Sequence, residues 1–184
     1  VEYRQVLEGL GGWQKRAWLY GDWDIAAGQY FSTFRREDHV CEYFPRHDNL
    51  SWVGALDYGF THYTVFLLGC RDGDGNWTIV DEHAERKMLP AMHCSHITKM
   101  LGRHGLTVND LERVSAGTDV FATQADGRTI AAQYARRGFK LSKANMDRVN
   151  GWAEVLELLG DPVNGEAGKL KIHQRCGGLL ERLP

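Results

Sequence analysis

The chain has 184 residues, 43% of them hydrophobic and 25% charged, with a net charge of −2 and a pI near 6.5. That is enough for one domain with a sizeable core and matches ordinary globular proteins. No apolar run approaches the roughly 18 residues of a membrane span, no N-terminal segment has a signal-peptide layout, and the slight acidic balance argues against a strongly basic nucleic-acid binder.

The chain starts at Val1, not Met, and reads as an excised or trimmed domain. Cys41, Cys70, Cys94 and Cys176 are scattered without a C-x-x-C pair, so they read as reduced thiols rather than a zinc ribbon or a disulfide framework. Residues 1–50 are rich in aromatics and charges with weak periodicity. Val1–Leu10 reads as the end of a helix and Trp18–Asp24 as a structured loop.

Apolar runs bounded by turn residues begin at position 51. Trp52–Leu56 is a strand closed by Asp57-Tyr58-Gly59, and Tyr63–Cys70 is a second. Asp72-Gly73-Asp74-Gly75-Asn76 makes a hairpin turn into a third strand, Trp77–Val80. A helix follows over Pro90–Arg103, with Ile97, Met100, Leu101 and His104 on one face and Gly105 as its stop. Arg113–Thr118 reads as a strand, Arg128–Arg137 as a helix and Phe139–Lys143 as a strand. A third helix over Asp147–Leu159 aligns Val149, Trp152, Val155, Leu156 and Leu159. Lys169–His173 is a last strand, and Gly178–Leu183 opens another helix.

Three antiparallel strands followed by alternating helices and strands predict a mixed five-stranded α/β sheet with helices on both faces. Right-handed crossover sets the strand at 113–118 parallel to and beside the strand at 52–57. This is the RNase H-like arrangement.

That arrangement brings Asp57 and Asp119 to neighbouring strand ends. An Asp after a strand more often caps a turn than binds a ligand. Two close carboxylates, however, repel unless a cation neutralises them, and Mg²⁺ or Mn²⁺ prefers oxygen ligands. A pair of such ions stabilises the attacking and leaving oxygens of a phosphodiester. Asp81 and Glu82 are expected at the end of the third strand, where Glu82 is a minor metal candidate. Asp147 reads first as a helix cap and second as a metal ligand.

Arg136, Arg137, Lys140, Lys143 and Arg148 are candidates to hold phosphates, if they share a rim with the carboxylates; otherwise they form a solvated face. His93 and His96, three apart, do not make a neat zinc pair. His104 and His173 read as surface or core residues, and His62, close after Asp57, is within reach of a phosphate. No G-x-x-x-x-G-K-[ST] loop is present, so these residues carry no P-loop ATPase.

Four pieces carry a family resemblance: Trp18–Asp24 with Gly28 and Phe31, Ala55–Gly59, Ser115–Asp119 and Ala144–Trp152. In order and spacing, the chain resembles the large terminase subunits of tailed bacteriophages. The resemblance implies that residues 1–50 are the junction following an ATPase domain. It implies that 51–184 are the RNase H-like nuclease, with Asp57 and Asp119 as catalytic metal ligands and two Mg²⁺ or Mn²⁺ ions. It implies cleavage of concatemeric double-stranded viral DNA in the host cytoplasm. The partners implied are the ATPase domain, the small terminase subunit and the portal, with no membrane; the isolated domain is expected to be a monomer. The family's third acid lies in a later helix with an Asp-Ala-x-Arg-Tyr-like motif. This chain lacks that motif, so either the nuclease is truncated after Pro184, the favoured expectation, or Asp147 takes the third acid's place. The alternatives are a RuvC-like junction resolvase and a catalytically silent DNA-binding or motor-docking module.

Overall fold

The computed structural model describes residues 30–44, 49–125 and 127–183. The expected helix end at Val1–Leu10, the loop at Trp18–Asp24 and Gly28 lie outside the described residues.

The elements are α1 (Arg36–His39), β1 (Val40–Cys41), β2 (Ser51–Asp57), β3 (Thr64–Arg71), β4 (Trp77–Glu85), α2 (Pro90–Arg103), β5 (Leu111–Ala116), α3 (Ile130–Ala135), β6 (Leu141–Lys143), α4 (Arg148–Leu159), β7 (Leu170–His173) and α5 (Gly177–Arg182). The described strands form one sheet in the order β1-β7-β4-β3-β2-β5-β6. β2, β3 and β4 are antiparallel, and β5 lies parallel beside β2 as expected. The expected five-stranded sheet has seven strands, through the docking of β7, itself expected as a strand, and of β1, which was not. β7 docks parallel to the start of β4, and the two-residue β1 docks on β7. A two-residue strand is too short to show any period, so β1 had no sequence signature.

β2 shows how alternation sorts the two faces. Trp52, Gly54 and Leu56 are buried, whereas Ala55 and Asp57 are exposed. On the buried side, Phe66, Leu68, Val114 and Ala116 from the sheet pack with Ile97, Met100 and Leu101 of α2 and Tyr134 of α3. The packing there is tight enough to exclude a side chain at Gly54, where a Cβ would lie 2.6 Å from Phe66 Cζ. The second core lies towards the β7 edge. Leu159 of α4, Leu170, Ile172 and Leu180 of α5 pack there with Phe31, Phe34 and Ile79.

Two local expectations are corrected. β4 runs on to Glu85, so Asp81 and Glu82 lie inside the strand rather than at its end. The extension follows from pairing, because β3 supplies partners as far as Thr64↔Glu85. In α4, only the far end of the apolar stripe is buried. Val149 is 71% exposed and Trp152 46%, while Leu159 is fully buried. The helix reaches the core around Leu159 and stands clear of it near its start.

Candidate metal centre

The parallel register of β2 and β5 pairs Leu56 with Ala116. The next step outward sets Asp57 beside Gly117. Since Leu56 and Ala116 are buried, alternation turns Asp57 and position 117 to the opposite face. A single-turn 3₁₀ helix, Thr118–Phe121, then folds the chain back, held by buried Val120 and by the Ala122 N–H donating to the Asp119 carbonyl. A Cβ built on Gly117 would lie 2.6 Å from Asp119 Oδ1. The Asp119 carboxylate therefore occupies the space that a side chain at 117 would fill, on the face to which β2 turns Asp57. Adjacent strands are roughly 4.8 Å apart, a spacing that one or two cations can bridge.

Among the described residues, no hydrogen bond or ion pair engages the side chain of Asp57 or Asp119. Other acids are occupied. Asp147 caps α4, its two carboxylate oxygens accepting from Asn150 N–H at 3.1 Å and Asn150 Nδ2 at 2.6 Å. Glu82 Oε2 accepts from the N–H groups of Gly178 (2.9 Å) and Leu179 (3.2 Å), and so fixes the start of α5. Both minor metal candidates thus have local structural tasks. Among the described residues, no group of three or more His, Cys, Asp or Glu is placed to hold a metal ion.

The face in front of Asp57 is open. Ala55 lies on a central strand of the sheet yet is exposed, because neither α4 nor α5 covers it. The five basic candidates divide. Lys143 pairs with Ala116 and Arg148 opens α4, so both lie at the carboxylate end of the sheet. Arg136, Arg137 and Lys140 flank Gly138, where an added Cβ would lie 3.5 Å from Val108 Cγ1, just before the start of β5. They therefore lie at the opposite end, because the connection between parallel β5 and β6 must return to the starting edge.

On the buried side, His83, which the sequence did not single out, and His93 and His104, which it did, make contacts that spacing does not show. His83 Nε2 lies 2.9 Å from His93 Nδ1, one ring donating and the other accepting. Burial, with His93 and His96 nearby, pushes the His83 pKa down to about 4. His104 and Arg103 both bond Asp81 Oδ2, at 2.7 and 3.0 Å. β4 placed opposite α2 is what joins these groups, across sequence separations of 10 to 23 residues. The four cysteines are free thiols, and burial raises the pKa of each.

No protein-family model matches the sequence, and neither does any curated protein. Among solved structures, the P22 large terminase nuclease domain is similar, with a TM-score of 0.66 at 18% identity over 84% of this chain and 77% of that one. The large terminase of a thermophilic bacteriophage superposes with a TM-score of 0.68 at 20% identity, over 97% of this chain. The chain spans only 43% of that thermophilic phage protein. The chain has the fold of the large terminase nuclease domains.

Proposed function

We propose that this chain is the metal-dependent endonuclease domain of a DNA-packaging terminase, with Asp57 and Asp119 as its catalytic metal ligands. The observation that supports this reading is the return of the Asp119 carboxylate over Gly117, the position one step beyond the Leu56–Ala116 pair, as Asp57 is on β2. Two unpartnered carboxylates are a donor set suited to hard divalent cations such as Mg²⁺ or Mn²⁺, which accept water for their remaining ligands. Bound there, a pair of such ions would activate water for attack on a phosphodiester and neutralise the departing 3′ oxygen.

The chain's own residues anchor and orient. Asp57 is held rigid at the end of a central strand, and Asp119 by a turn that buries Val120. Lys143 and Arg148 stand at the same end and hold backbone phosphates of double-stranded DNA. Arg136, Arg137 and Lys140, at the other end, serve only DNA that continues across the domain. In this reading the substrate is concatemeric viral DNA, the setting is the host cytoplasm, and the ATPase domain, small subunit and portal are the assembly partners. The likeness in fold to terminase nuclease domains supports this choice among nucleases.

Plasmid nicking in Mg²⁺ and in Mn²⁺ tests the proposal. Asp57→Asn keeps the side chain's size and removes the charge, and is expected to lower cleavage by at least about a hundredfold. Wild-type rates in that variant at saturating Mn²⁺ would overturn the assignment. DNA binding without any metal-dependent cutting by the wild type would favour a silent docking module instead.

A further inference from the structure

We infer that Tyr63, Arg86 and Arg182 form a preorganised clamp for the DNA backbone beside the carboxylate pair; the inference rests on the nuclease reading above. The Arg86 guanidinium carbon lies 5.4 Å from the centre of the Tyr63 ring, and that of Arg182 lies 5.6 Å from it. One aromatic ring thus gathers two cations from distant parts of the chain. Neither guanidinium forms a salt bridge among the described residues. Contact with the ring still leaves each guanidinium with N–H donors that can grip phosphate.

The clamp lies on the Asp57 side of the sheet. Val65 pairs with Asp57, and Thr64 with Glu85, so Tyr63 and Arg86 flank the same sheet end one step further out. Leu67 pairs with both Ala55 and Glu82, which puts Glu82 on the Ala55 and Asp57 face. Glu82 fixes the start of α5, and α5 carries Arg182. At 3.3 Å per residue and 4.8 Å between strands, Tyr63 lies roughly 8 Å from Asp57. A DNA strand lying across Asp57 therefore also brings backbone phosphates within reach of the residues around Tyr63.

The groups are fixed before any ligand arrives. Thr64 Oγ1 is buried, donates to the Gly59 carbonyl at 2.6 Å and accepts from the Gly59 N–H at 3.2 Å. The Lys87 N–H donates to the Phe60 carbonyl at 2.8 Å and ties the 58–63 loop to the segment bearing Arg86. Arg182 Nη1 donates to the Gly178 carbonyl at 2.9 Å. Two like charges gathered on one ring repel each other, and a nearby anion offsets that cost. Sequence reading missed the clamp because its residues lie far apart in the chain.

The test titrates a short labelled duplex with the full chain in EDTA, across roughly 50–200 mM salt. Arg86→Ala/Arg182→Ala is expected to weaken binding by about tenfold or more at low salt. It should also flatten the slope of log affinity against log salt by about 1.8, the value for two lost phosphate contacts. Tyr63→Phe keeps the ring and should bind as wild type, whereas Tyr63→Ala should lose several-fold. Unchanged affinity and slope in the double variant would overturn the clamp. Cleavage by wild type and Asp57→Asn, measured in parallel, separates the two claims. If wild type cuts and the double variant binds normally, the clamp fails and the nuclease reading stands. If binding falls as expected but wild type does not cut, the nuclease reading fails alone.

Discussion

Asp81, on one face of the sheet, and the pair Asp57 and Asp119, on the other, are treated in opposite ways. On the helix-covered face, Asp81 is almost fully buried, and its Oδ2 receives both Arg103 and His104. Burial alone would raise its pKa, yet the hydrogen bonds from His104 and Arg103 outweigh that and hold it below the usual carboxylate range. On the open face, Asp57 and Asp119 sit at adjacent strand ends with no protein partner among the described residues. A carboxylate kept within the protein is supplied with donors; a pair left bare beside each other needs a cation from outside. On the proposed nuclease reading, the contrast separates acids that hold the fold from acids that would do chemistry.

Substitution on the open face should have the largest effect, on activity alone. Asp119→Asn is expected to lower cleavage by at least about a hundredfold. Its unfolding midpoint should stay level or rise slightly, because a repulsive pair has lost one charge. A clear loss of stability would place Asp119 among the structural acids and break the comparison.

The next effect is a pH dependence on the covered face. His83 has a folded-state pKa near 4, below the ordinary 6.5, because burial and the nearby His93 and His96 disfavour its charged form. Between those values the unfolded chain binds more protons than the folded one. Stability is therefore complete above about pH 6.5 and is lost as pH falls towards 4, by up to roughly 3 kcal/mol. Urea titrations at several pH values should give His83→Gln a shallower slope in this window. Equal slopes for the two proteins would remove His83 as the source.

Asp81→Ala should come next. It removes a buried acceptor from two donors, at a cost of about 2 kcal/mol. The loss is smaller than for a fully buried pair because Arg103 is 52% exposed and can turn to water. Asp81 is ionised in the fold above its depressed pKa, so its contribution is present at neutral pH and disappears as pH drops through that value. Cleavage per folded molecule should be unaffected. A selective loss of cleavage in Asp81→Ala would mean that the covered face takes part in the chemistry.

Much of this division was legible from one-dimensional pattern. The helix Pro90–Arg103 has a 3.6-residue apolar stripe and a proline start, and it forms over those residues. Parallel pairing of β2 with β5 followed from crossover handedness, and it alone brings Asp57 towards Asp119. The details that depend on packing were hidden. Nothing in the apolar pattern of α4 says that Val149 and Trp152 stay exposed while Leu159 is buried. The five basic residues looked like one cluster because they are close in sequence, but a βαβ crossover sends Arg136, Arg137 and Lys140 to the far end. The Asp81 and His83 partnerships join β4 to α2, and only the assembled sheet shows which residues of each face one another.

Asp147 offers the finest test of the comparison, because it lies at the carboxylate end yet behaves as a structural acid. Its two oxygens serve Asn150, one through the backbone and one through the side chain. Asp147→Ala should therefore cost about 1 kcal/mol, the usual loss of a helix cap, and leave cleavage within a few-fold. Asp147→Asn discriminates more sharply. Asparagine caps helices as well as aspartate does but brings no negative charge to a metal. If Asp147 only caps α4, the Asn variant keeps both stability and cleavage. If it also supplies charge to the ions, the Asn variant keeps its stability but loses cleavage by a hundredfold or so, as expected for Asp119→Asn. That second outcome would move Asp147 into the metal centre and require its link to Asn150 to open when the ions bind.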